Sequence, residues 1–147
     1  MQKVNWIFCL MISLLAVACS SEEENGQSEE ETNAIKLSGA WLMGEGSSVT
    51  RDGVDVTDEY ADLLIRFTTS NQYTIQGDPN NVFYPTGTWK FVEGDVTRVQ
   101  LNTNENPITL TYADDTHLTL SFTITGDEPI GGRVKGISGA FVFKLSR

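Results

Sequence analysis

Cysteine and histidine are nearly absent from this chain: two cysteines and one histidine among 147 residues. That is too few for a His/Cys metal centre. It also leaves no Cys/His nucleophile pair once an N-terminal targeting segment is removed. Basic residues are scarce as well, with 10 Lys and Arg against 20 Asp and Glu and a net charge of −10. A chain so acidic gains no counterion-release affinity for nucleic acid. The apolar run over residues 6–17 is interrupted only by Ser13. It is shorter than the ~20 residues a membrane-spanning helix needs. What remains is ordinary globular material: 39% apolar residues and 13 glycines, enough for one small core in one domain.

The N-terminus reads as an address. Lys3 precedes the apolar run, and Leu15-Ala16-Val17-Ala18 leads into Cys19. Residues 1–18 are expected to be a signal peptide. Small residues before a cysteine resemble a bacterial lipobox, which implies cleavage before Cys19 and acylation of its thiol. The plainer alternative is an ordinary signal peptide that leaves Cys19 unmodified. Cys9 leaves with the signal in either case, so no disulfide is available to the domain. Ser20, Ser21, Glu22, Glu23 and Glu24 follow at once. They resemble the surface-export signal of Bacteroidota lipoproteins, and a solvated linker is the alternative. Residues 19–33 hold six glutamates and almost nothing apolar. This composition predicts a disordered acidic tether over 19–34, at most ~50 Å long. The body, 35–147, retains fourteen acids against nine bases, so much of the acidity belongs to the tether.

In the body the apolar period is two. Leu63, Ile65 and Phe67 alternate with Leu64, Arg66 and Thr68, and Tyr73 and Ile75 with Thr74 and Gln76. The same alternation runs through Trp89–Phe91, Val99–Leu101, 108–112, 118–124 and 141–145. Each is a half-buried strand with a threonine-rich wet face. Short Gly/Asn/Asp/Ser connections at 69–72, 93–95, 102–107 and 113–116 separate them. A further strand over 40–44 makes eight. Residues 56–64 alone suit a short helix, with Thr57 as its cap and Tyr60, Leu63 and Leu64 inward. Eight consecutive strands with short connections predict an all-β, eight-stranded antiparallel meander closed into a barrel. A two-sheet sandwich is the alternative.

Leu37-Ser38-Gly39-Ala40-Trp41 opens the first strand with Gly-x-Trp. With 52–57, Gly87–Phe91, Leu118–Phe122 and Gly139–Leu145, it resembles the lipocalin-like lipoproteins of Bacteroidota over most of 37–145. The resemblance implies an eight-stranded lipocalin-like barrel on an outer-membrane tether, with Trp41 plugging the closed end and Arg147 as the candidate cation over it. It carries no ligand residues.

Clusters that suggest chemistry are few. Asp52, Asp55, Asp58, Glu59 and Asp62 lack EF-hand spacing and read as a solvated turn. His117 and Ser121 share a wet strand face with no oxyanion hole in view. Adjacent Asp114 and Asp115 point apart and cannot flank a glycosidic bond. The glycine-rich stretch 126–136 lacks both a following helix and Gly-Lys-Ser/Thr. It reads as a loop beside the mouth. In 78–85, fenced by Pro79 and Pro85, Phe83 and Tyr84 are candidates to meet a sugar or gate the mouth, or else to fold back as a lid. Trp41 and Trp89 fall on inward faces and are the other candidate contacts.

The expected protein is a lipid-anchored, outer-membrane, surface-exposed monomer. It has no enzymatic activity, cofactor, metal or nucleic-acid partner. It binds a small apolar or amphipathic ligand in its barrel, or else has a filled barrel that meets a glycan or protein through its loops. Trp41, Phe67, Tyr73, Trp89, Phe91, Phe122, Phe141 and Phe143 are many large side chains for a small barrel, and if all of them point inward little cavity remains, which favours a filled interior. Replacing Cys19→Ala is expected to move the protein from the membrane to the soluble fraction; unchanged partitioning on fractionation contradicts acylation.

Overall fold

The computed structural model describes residues 27–102, 107–125 and 137–147, and among these it has ten strands, most of them set by alternation of apolar and polar side chains. The expected signal peptide, Cys19 and Ser20 to Glu24 lie outside the described residues, as do 103–106 and the glycine-rich 126–136. Helix α1 (Glu29–Leu37) is followed by β1 (Gly39–Leu42), β2 (Ser48–Arg51) and β3 (Val54–Asp55). Then come β4 (Leu64–Phe67), β5 (Gln72–Gln76), β6 (Thr86–Val92), β7 (Asp95–Leu101), β8 (Ile108–Asp114), β9 (His117–Ile124) and β10 (Gly139–Ser146).

From β4 to β10 each strand pairs antiparallel with the next. β1 pairs with β4 along its length, Gly39 opposite Phe67 and Leu42 opposite Leu64. Leu42 also stands opposite Ser146, and β2 carries on along β10 from Ser48 opposite Lys144 to Arg51 opposite Phe141. β1 and β2 are therefore two halves of one bent strand. The first half is bonded mainly to β4 and the second to β10. That strand closes an eight-stranded antiparallel meander barrel of lipocalin-like form and rules out the sandwich. Closure removes the edges an open sheet would expose. The short β3 hairpins back onto β2, turning at Asp52 and Gly53, both with positive φ.

Three expectations need correction. The acidic segment is not a disordered tether up to residue 34, because it is helical from Glu29. Ser28 accepts from the Glu31 amide while the Glu31 carboxylate accepts from the Ser28 amide, a capping box that satisfies two donors at the helix start. Apolar Leu37, fully buried, and half-buried Ala34 anchor the helix to the core. The first strand ends at Leu42, before residue 44, and resumes at Ser48. Residues 56–64 hold only one 3-10 turn, Thr57–Tyr60. Thr57 does not cap it. Its hydroxyl instead bonds Asp55 at 2.5 Å and the Val49 carbonyl at 3.4 Å. Tyr60 and Leu63 are inward as expected, whereas Leu64 is only half-buried.

The turns β4–β5, β6–β7 and β8–β9 share one end of the barrel with α1 and Arg147, and the closed end forms there. The Trp41 indole donates to the Leu37 carbonyl at 2.8 Å. The Arg147 guanidinium lies 4.4 Å above the Trp41 ring and donates to the carbonyls of Asp115 (2.6 Å), Ser38 (3.1 Å) and Lys36 (3.3 Å). Gly39 turns there at φ +129, and a Cβ on it would sit 3.4 Å from Arg147. The glycine of Gly-x-Trp thus gives the backbone a conformation that side chains avoid and room for the cation. Lys36 repeats the arrangement, 4.6 Å over the Tyr112 ring and 3.9 Å from Asp115.

Arg147→Ala is expected to lower stability by about 1–2 kcal/mol in urea denaturation, from the lost cation–π contact and carbonyl bonds. Arg147→Lys should recover less than half, because an ammonium cannot stack and fork at once. Equal stability of all three proteins would contradict this account of the closed end.

Candidate functional site

The barrel interior is built from the inward positions of every strand. Among the described residues, every fully buried side chain is apolar or aromatic. Phe141 and Phe143 on β10 stack with Phe122 of β9, rings 5.7 and 5.8 Å apart. Phe67 meets Trp89 edge-on at 6.0 Å, and Trp89 meets Phe91 at 5.2 Å. Such geometries add attraction beyond the buried area.

The end opposite α1 is the mouth, and two loops fold into it. From the segment between β3 and β4, Tyr60 inserts edge-on against Phe143 at 5.2 Å. From the segment between β5 and β6, Val82 and Phe83 are buried, and Phe83 packs on Phe122 (5.3 Å) and Phe143 (5.5 Å). Asp78 holds this second loop by accepting the Phe83 amide at 2.8 Å. Burial raises the Asp78 pKa, and the loop amides of Phe83, Val82, Asn80 and Asn81 partly offset it. Asn80 joins the two loops through bonds to Glu59 (2.9 Å) and the Tyr60 hydroxyl (3.2 Å). Gly77 also permits their approach: its φ is +69, and a Cβ there would collide with the Asp62 carbonyl.

Of the four expected contacts, Trp41, Trp89 and Phe83 are core residues and Tyr84 is partly buried against the core. The structure does not gather them into one site. Trp41 and Trp89 hold the closed end, the latter through its indole bond to the Thr68 carbonyl at 3.1 Å. Phe83 and Tyr84 belong to the mouth. Sequence reasoning missed Val82, and also the bond from Asn102 to the Tyr73 hydroxyl at 2.9 Å. A positive φ at Asn102 brings that amide into the space beside Gly87, which bears no side chain to block it. Desolvation pushes the hydroxyls of Tyr73 and Tyr112 up to about 12, the first opposed by the Asn102 bond and the second by Arg147. Both stay neutral at physiological pH, so neither acts there as a phenolate.

The acidic residues have local work. Asp52 accepts the Ala140 amide at 2.8 Å and joins the β2–β3 turn to β10. Asp55, Asp95 and Asp114 each accept both the amide and the hydroxyl of a threonine two residues on: Thr57, Thr97 and Thr116. These bonds hold all three carboxyls below their ordinary value. His117, on the wet face, lies 2.9 Å from Asp114 rather than engaging Ser121. Among the described residues no group of three or more His, Cys, Asp or Glu is placed to hold a metal ion.

No protein-family model matches the chain, and no curated protein matches it.

The lowered carboxyls carry a pH dependence. A group whose folded pKa lies below its unfolded value, near 3.8 for aspartate, adds stability above that value. The contribution is lost as pH falls towards the folded pKa. Denaturation midpoints should therefore fall below about pH 4. The triple Asp→Ala change at 55, 95 and 114 should lower stability at pH 7 and flatten that acid limb. An unchanged acid limb in the triple variant would contradict it.

Proposed function

We propose that this chain is a lipid-anchored lipoprotein of the cell envelope, of the Bacteroidota lipocalin-like kind. Its non-catalytic barrel domain recognises a glycan or a protein through its mouth loops. Anchoring rests on the apolar run 6–17 ending at Cys19, and surface exposure on Ser20, Ser21 and Glu22 to Glu24. The barrel is compatible with ligand binding, and fold alone does not name a ligand. The observation that carries the reading is the seating of Phe83. In a carrier of small apolar molecules, a guest would occupy the apolar interior onto which the inward side chains of β9 and β10 face. Here Phe83 from the mouth loop rests against Phe122 and Phe143, and Tyr60 closes on Phe143 beside it. Own side chains take the guest's place, which leaves exposed loop surface as the means of recognition.

The test is titration with a fluorescent fatty-acid analogue. The wild-type protein should show no saturable binding. Phe83→Ala, at a stability loss of about 3–5 kcal/mol, should open a dry apolar space and gain binding. Phe83→Leu, milder in stability, should gain less. Saturable, stoichiometric binding by the wild type overturns the filled-barrel reading in favour of carriage of a small apolar or amphipathic ligand.

A further inference from the structure

Among the described residues, two buried side-chain polar atoms have no hydrogen-bond partner: the Tyr112 hydroxyl and Asp78 Oδ1. Only the second belongs to an acid. Asp78 stands half-buried at the head of the loop between β5 and β6, next to Gly77, whose backbone presses on the Asp62 carbonyl. Its Oδ2 accepts the Phe83 amide at 2.8 Å and so sets the loop that seats Phe83 against Phe122 and Phe143. A buried acceptor without a donor is costly, and more so when it carries charge. In the seated loop the ionised carboxylate bears that cost, and it sheds it when the loop lifts and both oxygens reach water. The surroundings act in the same sense. The groove that Asp78 shares with the 3-10 turn is lined by Asp58, Glu59 and Asp62, all exposed. Tyr60 beside them stays neutral, since burial raises its pKa further. Arg51 on β2 is the cation that acts on the Tyr60 hydroxyl, and it makes no ion pair with Asp78.

We propose that Asp78 is a pH-sensitive latch on the mouth: protonated, it seats the β5–β6 loop and Phe83 firmly, and ionised, it loosens them. The seated carboxyl has a pKa above its ordinary value of 3.8, because burial outweighs the four loop amides that oppose it. In the lifted loop it is solvated and returns to that value. The seated form thus holds the proton more tightly. Seating is firmest below the ordinary value and weakens as pH rises through the seated one. Acid also removes the repulsion between Asp78 and the three groove carboxylates. The sign is opposite to that of Asp55, Asp95 and Asp114, whose lowered carboxyls add global stability as pH rises. Local loosening of the mouth therefore runs against global tightening of the barrel, and one pH scan separates the two. The latch belongs to the loop itself and holds whichever partner the mouth takes.

The experiment follows native-state hydrogen exchange in the full chain, held in detergent micelles, from about pH 4 to about pH 7, with each rate set against the intrinsic rate at that pH. Protection of the Phe83 amide, which donates to Asp78, should fall several-fold across this range, while that of the β9 and β10 amides does not fall. In Asp78→Asn, which keeps an acceptor and cannot titrate, Phe83 protection should no longer fall. In the triple variant Asp58→Asn, Glu59→Gln, Asp62→Asn, most of the fall should remain. Phe83 protection that is level or rises with pH in the wild type overturns the latch, and that result needs no variant to fold. A fall that persists in Asp78→Asn, or vanishes in the triple variant, places the titration elsewhere and overturns the latch as well.

Discussion

Arg147, the last residue of the chain, lies 4.4 Å above the Trp41 ring and donates to three carbonyls from two separate segments. Strand closure, the seating of α1 and the β8–β9 turn all meet at this one stack. Trp41 is fully buried and bonds back to Leu37, so the end of the helix is fixed by the first residues of the barrel. Asp115 presents its carbonyl to Arg147 and its carboxylate to Lys36, and Lys36 in turn covers Tyr112. Two cations over two aromatic rings allow a base with several exposed acids to close without a buried charge. A guanidinium suits the central position because it stacks and donates in a fork at once.

The other end works by a different principle. At the mouth two loops fold inward and give up Tyr60, Leu63, Val82 and Phe83 to the core. Of the polar groups that come with them, Asp78 Oδ2 accepts the Phe83 amide and Asn80 donates to the Tyr60 hydroxyl, while Asp78 Oδ1 is buried without a partner. The interior is thus completed by segments outside the strands. This agrees with the small size of the domain, in which loop aromatics thicken a thin core. An end closed by loops is also the end at which recognition can diversify without disturbing the ladder.

Much of the barrel was legible because half-buried strands announce themselves by alternation. Leu118, Leu120, Phe122 and Ile124 are buried, and the residues between them are not. Ser48 to Arg51 escaped notice because one apolar residue, Val49, cannot set a period, and its pairing comes from β10 across ninety residues of chain. Helix α1 was hidden under its own charge. The glutamates that suggested a solvated linker sit in its first turn, where they favour the helix dipole, and the Ser28–Glu31 spacing was the sign of a start. Val56 to Leu64 misled in the opposite sense, since Thr57 is drawn to Asp55 and Val49 instead of to a helix. The resting place of Phe83 was a choice between lid and ligand contact that only long-range packing decides. The anchor and export residues lie outside the described structure, so their reading stays one of sequence.

The central claim is that α1 and the Trp41–Arg147 stack belong to the cooperative core of the barrel and are not an appended tail. Native-state hydrogen exchange of the Trp41 indole tests it most directly, because that N–H bonds to the last residue of the helix. The account predicts exchange only through global unfolding, with the same denaturant dependence as the β9 and β10 amides. Fast exchange insensitive to denaturant would show that helix and stack open locally, and would contradict it.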